Sequence, residues 1–146
     1  MAQSETENRW MCFKIDRETY ALSVEDVREV TPYIEPVPVP GSPDTIKGIL
    51  NMRGNIVTVA SGRKLLSKPE VQNSESSQVV LLELPQGALG VIIDEVGGLI
   101  SFDEALIERD LNHENPDLII GTVHHEGKLV LLMSLHAYCE KLTRNE

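Results

Sequence analysis

One β-rich stretch occurs twice in this chain, and the repeat constrains the fold more than any other feature. Ile46-Lys47-Gly48-Ile49-Leu50-Asn51-Met52-Arg53-Gly54-Asn55-Ile56-Val57 returns as Ile119-Ile120-Gly121-Thr122-Val123-His124-His125-Glu126-Gly127-Lys128-Leu129-Val130. Gly48 and Gly54 fall on Gly121 and Gly127 at one common offset of 73 positions. A second stretch, Tyr20 to Val27, matches Leu89 to Val96 at an offset of 69, so a short loop insertion reconciles the two. Positions shared by the copies should serve folding. Positions that change charge, such as Arg53 against Glu126, are the better candidates for function.

Short apolar runs alternate with Gly, Pro, Asn and Asp breaks, the signature of many short strands. Arg9 to Ile15 and Thr19 to Val24 read as strands around a polar turn at Asp16-Arg17-Glu18. Val24 to Val30 reads as one helical turn or a strand continuation. Five prolines between Pro32 and Pro43 forbid a helix there and restrict any strand to an edge. Lys47 to Met52 and Asn55 to Ala60 form a hairpin about Arg53-Gly54, and Ser61 can cap a short helix through Leu66. Ser67 to Ser77 is a polar connection. Gln78 to Leu84, Ala88 to Ile93 and Gly97 to Phe102 read as strands. Asp103 to Pro116 is acidic and irregular, with room for a brief helix. Leu118 to Val123 and Lys128 to Met133 form the second hairpin. Ser134 can cap a last helix, Leu135 to Leu142, with Leu135, Tyr138, Cys139 and Leu142 on one face.

Each half thus holds about five strands, which suits a small closed barrel without free edges. The sequence predicts an all-β domain over 9–142. The first barrel lies mainly in 20–66 and the second mainly in 78–133. The N-terminal strand and C-terminal helix complete the pair, and 1–8 and 143–146 are flexible tails. Two such barrels must share a seam, since neither can bury a large core alone.

Composition narrows the function. Acidic residues number 23 against 13 basic, a net charge of −10, which disfavours phosphate backbones and anionic lipid surfaces and favours basic patches on proteins. The longest apolar run, Leu129 to Met133, is far below the roughly 20 residues that span a bilayer. Met1 to Arg9 lacks a signal pattern. The chain reads as soluble and cytoplasmic, without membrane insertion or nucleic-acid binding. Cys12 and Cys139 lack motif spacing and read as small buried apolar residues. His124 and His125 lie near His113 and Glu126, but neighbours on a strand point to opposite faces, so a shared metal ion is not expected. No nucleophile–base motif or phosphate-binding glycine loop is present, and the Gly97-Gly98 pair lacks a following helix. Neither an enzyme nor a cofactor is expected.

Val27-Arg28-Glu29-Val30, the proline run ending at Pro40-Gly41, Gly48-Ile49-Leu50-Asn51-Met52-Arg53-Gly54, Ile56 to Leu65, and Gly90 to Val96 occur in this order. Together they resemble the CheW family of chemotaxis adaptors, over Trp10 to Leu142. The resemblance implies two pseudo-symmetric five-stranded Src-homology-3-like β-barrels with short helices and a C-terminal helix. It implies a non-catalytic scaffold in signal transduction that bridges a CheA-type histidine kinase and the cytoplasmic tip of a chemoreceptor. The family's usual proline and aspartate-leucine are here Thr58, Ser61 and Gly62, so a diverged scaffold in another motility or kinase pathway, such as twitching motility, is the alternative.

The candidate protein-binding residues are Val27, Glu29, Gly48, Leu50, Met52, Arg53 and Gly54. Arg53 can offer a bidentate fork to a carboxylate or to helix carbonyls of a partner. The 69 offset puts Gly98 opposite Glu29, so this charge too exists in one copy only. Gly48 and Gly54 recur and read first as turn or close-approach glycines. Val27 reads as core or groove wall, and Leu50 and Met52 read equally as groove lining or as core.

Overall fold

The structure, a computed structural model, describes residues 9–72, 76–109, 115 and 117–144. It is built from ten strands: β1 Arg9–Ile15, β2 Glu18–Ser23, β3 Val27–Pro32, β4 Ile46–Met52, β5 Asn55–Ser61, β6 Gln78–Leu84, β7 Gly87–Ile93, β8 Glu95–Ser101, β9 Ile119–His125 and β10 Lys128–Met133. Two helices follow β5 and β10: α1 Gly62–Leu65 and α2 His136–Arg144. The strands form two five-stranded sheets, ordered β8-β1-β2-β10-β9 and β3-β6-β7-β5-β4.

The two orders are the same order. β1, β2, β8, β9 and β10 occupy the places of β6, β7, β3, β4 and β5. Registers agree residue by residue. Leu131 lies beside Tyr20 in the parallel pair β10·β2, as Thr58 lies beside Leu89 in β5·β7. Those are the 73 and 69 offsets meeting in one strand pair. Even the irregularities repeat: β4 bulges between Ile46 and Gly48, and β10·β9 shifts at the matching place.

The structure corrects the expected division of the chain. The barrels were expected in 20–66 and 78–133, but neither sheet is contiguous. β6 and β7 sit in the centre of the sheet whose outer strands are β3, β4 and β5. β1 and β2 sit in the centre of the sheet completed by β8, β9 and β10. Each repeat therefore lends its first hairpin to one sheet and its last three strands to the other. Periodicity reports which residues of a strand share a face, whereas the crossing happens at the turns after β2 and β7. The first of these is the 3₁₀ turn Val24–Asp26, capped by the Ser23 hydroxyl.

The exchange also explains the near-continuous apolar runs of the central strands, which are covered on both faces. In β6, Val80, Leu82 and Leu84 face one cluster, while Val79 and Leu81 face another. The larger cluster is the seam between the sheets. It joins Phe13, Ile15, Tyr20 and Leu22 to Leu82, Leu89, Val91 and Ile93, and takes Leu65 and Cys139 from the helices and Leu135 from just before the second. Each sheet keeps a smaller cluster of its own, one around Val59 and one around Val130 and Leu132. Stacked ring pairs, Phe13–Tyr20 in the seam and Trp10–Phe102 outside it, both have centroids 5.8 Å apart.

The departures from the family pattern do not remove the first helix. The Ser61 hydroxyl accepts from Lys64 N at 3.1 Å and donates to Glu70 Oε2 at 2.6 Å. Gly62 is buried against the parallel strand, where a Cβ would come within 2.5 Å of the Ile92 carbonyl and 2.7 Å of Ile15 Cδ1. The glycine costs helix propensity and allows the helix to start against β7. Burial opposes the Glu70 charge, but hydrogen bonds from Ser61 and Lys47 outweigh it and hold the carboxyl below its ordinary value. Its stabilisation is therefore present at neutral pH and lost as pH falls through that lowered value. Ser61→Ala removes the cap and this bond together. It should cost about 1–2 kcal/mol in urea unfolding at pH 7, and less once the pH has fallen through the lowered Glu70 pKa.

The last helix begins at His136, whose N–H meets the Ser134 hydroxyl at 3.4 Å. It extends to Arg144, so 143–144 are helix rather than tail. Residues 1–8 and 145–146, expected as tails, lie outside the described residues. So does most of the irregular acidic stretch after the 3₁₀ turn Glu104–Leu106.

Candidate functional site

The repeated motif closes its hairpins with two-residue turns in the left-handed region. Arg53 and Gly54 have φ of 56° and 88°, and Glu126 and Gly127 have φ of 52° and 80°. Positive φ at both central residues is the turn type whose twist matches antiparallel strands. Asn51 supports the first turn by accepting from Gly54 N at 3.0 Å. Such a turn aims its first side chain outward, and the Arg53 side chain is 69% exposed.

Its fork is occupied within the molecule. Arg53 Nη1 and Nη2 donate to the two Glu29 carboxylate oxygens at 2.9 and 3.0 Å. The guanidinium pKa is raised by this hydrogen bonding and charge. The two candidates whose charge the second repeat does not keep, reversed at Glu126 and absent at Gly98, are thus each other's partners, from opposite edges of the sheet. The pair stands at the mouth of a groove of about 290 Å³ lined by Met52, Val57, Leu81, Leu82 and Ala88. A second ion pair, Arg28 to Glu83 at 3.2 Å, flanks it.

The remaining candidates divide by burial. Met52 and Val27 are half-buried, Met52 against the sheet's own cluster and Val27 against the seam. Gly54 is exposed in the turn. Leu50 and Gly48 are buried, in line with the core and close-approach readings of these two positions. Leu50 is 6% exposed within the smaller cluster. Gly48 lies under the proline-rich segment, where Val37 exchanges hydrogen bonds with Ile49 at 2.9 Å in each direction. The matching bridge joins Glu108 to Thr122 over Gly121. Close approach of a covering segment, the reading first given to these glycines, is what the geometry shows.

Sequence reading did not find Arg28 and Glu83. Their signal was present, since the 69 offset puts Gly97 opposite Arg28 and Lys14 opposite Glu83. A part-buried charge cluster was also missed. Arg63 of α1, with its side chain 15% exposed, donates to Asp94 at 2.7 Å. Asp94 also accepts from Asp16 N at 2.9 Å. Asp94 is the residue where the chain leaves one sheet for the other, so this cluster ties the crossing point to both. Burial raises the thiol pKa of Cys12 and Cys139, which suits packing rather than nucleophilic use. His124 and His125 lie in β9, His124 exposed and His125 half-buried, and His113 lies outside the described residues. Among the described residues, no three His, Cys, Asp or Glu side chains come together as a metal site, and no helix is long and apolar enough to cross a membrane.

Fold and site together define a duplicated all-β module whose two sheets exchange hairpins and whose distinctive surface is a charge-latched groove. A family model described as "CheW-like domain" matches residues 9–142, and the chain belongs to that family. The chemotaxis protein CheW of Bacillus subtilis (strain 168) is 26% identical over 143 residues, covering 96% of this chain and 92% of that protein. The CheW of Thermotoga maritima is 22% identical over 137 residues, covering 93% and 90%. The crystal structure of the scaffolding protein TtCheW from Thermoanaerobacter tengcongensis superposes with a TM-score of 0.83 at 26% identity, over 89% of this chain and 90% of that one.

Proposed function

We propose that this protein is a cytoplasmic, non-catalytic adaptor that couples the tip of a chemoreceptor to a CheA-type histidine kinase. The carrying observation is the Glu29–Arg53 pair: two residues of the family-like motifs, 24 positions apart, that folding brings to one exposed surface. The relatives are chemotaxis proteins, and one is a scaffolding protein. In this reading Glu29, Arg53, Met52, Val27 and Gly54 form or border the docking surface, and Gly48 and Leu50 hold the strand beneath it.

A preformed pair suits such a role. Arg53 is held in one rotamer before the partner arrives, so less side-chain entropy is lost on binding. Arg53→Ala should change unfolding free energy by no more than about 1 kcal/mol, since the pair is exposed. It should weaken kinase or receptor binding by at least about tenfold. The test is a pull-down, followed by titration, of wild type, Arg53→Ala and Glu29→Ala with the kinase and with receptor fragments from the same cell. Wild type that binds neither partner would end the adaptor reading. Variants that bind both partners as wild type does would remove this pair from the surface.

A further inference from the structure

The groove latched by Arg53 and Glu29 is present twice. The second copy, of about 260 Å³, lies on the sheet of β8, β1, β2, β10 and β9 at matching positions. In the first copy two ion pairs tie β3 to the groove walls: Glu29 to Arg53, and Arg28 to Glu83. In the second copy β8 has Gly98 and Gly97 where β3 has Glu29 and Arg28. The walls keep their charges but reverse them, with Glu126 in place of Arg53 and Lys14 in place of Glu83. Both walls are charged, and at the places of Arg28 and Glu29 the strand between them offers only glycines.

The surroundings leave those charges available. The Glu126 side chain is 85% exposed, and among the described residues its one ion-pair partner is the His125 ring, at 3.8 Å. Lys14 is exposed and forms no ion pair among the described residues. A Cβ built on Gly98 meets nothing within 4 Å. The floor is apolar and includes Cys12, Val96, Ile100 and Val130.

We propose that this open groove docks an extended segment of a partner protein that carries adjacent cationic and anionic side chains. The cation meets Glu126 and the anion meets Lys14. The incoming pair supplies what Arg28 and Glu29 supply internally in the other copy. A purely apolar segment would strip water from both wall charges and pair neither, which costs more than its burial returns. A polyanion meets Glu95 and Glu126 on the rim, and a polycation meets Lys14 and Lys128. A segment with both signs side by side satisfies both walls, and the bare backbone at Gly97-Gly98 lets it come close. The proposal does not depend on which kinase or receptor uses the other groove.

The probe is an acetylated, amidated peptide with the sequence of residues 25–33, Glu-Asp-Val-Arg-Glu-Val-Thr-Pro-Tyr, titrated into the full chain by calorimetry and by backbone amide NMR. Binding should shift the Gly97 and Gly98 amides. The same peptide with Ala-Ala for Arg-Glu should bind at least about fivefold more weakly. Glu126→Gln, a shape-preserving change on an exposed turn, should cost a similar factor. Gly98→Arg should abolish binding, because its guanidinium can reach Glu126 and close the groove from within. Equal affinity for the two peptides, shifts confined to other strands, or no shift up to millimolar peptide would each overturn the proposal. So would free arginine reproducing the peptide's shifts at equal affinity, since the site would then be a small-molecule pocket.

Discussion

Gly48→Val should destabilise the protein by about 4 kcal/mol, enough to leave a sizeable unfolded fraction in a domain of ordinary stability. Two independent terms act at this position. Gly48 has φ of +148°, where a β-branched residue is strained. A Cβ there would lie 2.2 Å from the Val37 carbonyl oxygen and 2.6 Å from its carbonyl carbon. The neighbour is backbone, and Val37 is held by its two bonds to Ile49, so it cannot turn aside as a flexible side chain would. The covering segment would have to lift, giving up both bonds and uncovering the cluster around Leu50. Gly54→Ala is the control. Its φ of +88° carries strain but nothing lies within 4 Å of the new Cβ, so about 1 kcal/mol is expected. Urea midpoints of the two variants would check this, and a Gly48→Val protein within 1 kcal/mol of wild type would refute the account. The comparison bears on function as well. Any binding lost in a Gly48 variant would follow from the lifted segment, since the residue itself offers no surface.

The second large effect comes from cutting the chain between the repeats. Fragments 1–72 and 76–146 each contain one complete repeat. Had the barrels been contiguous in sequence, each fragment would fold alone. In the observed topology neither can. The first fragment supplies β3, β4 and β5 but lacks β6 and β7, which lie between β3 and β5 in their sheet. It also holds β1 and β2 without the strands that flank them. The seam cluster takes residues from both fragments on every side, Phe13 and Tyr20 from one, Val91 and Ile93 from the other. Each fragment alone should therefore show no cooperative unfolding transition. Mixed, they should form a 1:1 complex with the circular dichroism of the intact chain and a dissociation constant of about 1 µM or tighter. The ionic cluster of Arg63, Asp94 and Asp16 would be rebuilt across the cut. A fragment that unfolds cooperatively by itself would contradict the exchange of hairpins.

The candidate site was partly legible for a physical reason. Duplication provides an internal control, and a charge that is lost or reversed between the copies stands out without any other sequence. That comparison singled out Arg53 against Glu126 and Glu29 against Gly98. It could not say that Arg53 and Glu29 hold each other, because they sit on β3 and at the end of β4, strands at opposite edges of one sheet. Nor could it separate Leu50 from Met52. The two lie on one face of β4 by alternation, and only the packing makes Leu50 core and Met52 half-buried. Gly62 was legible as a weak helix residue. Its necessity came from the Ile92 carbonyl, thirty positions away and close only once the parallel pair has formed.

The sequence by itself determined that this protein is all-β and made twice, where nearly every strand and its turn would fall, which residues cap the helices, and where charge asymmetry marks a surface. These are local or periodic properties, written into neighbouring residues by backbone geometry and alternation. Only the tertiary structure decided which hairpin belongs to which sheet, which candidate residues are buried, and that one groove is latched while its twin stands open. Those are choices among partners far apart in the chain. They are made where β1, β2, β6 and β7 bury one face at a common seam and turn the other to their own sheet's cluster, and no single segment carries the answer.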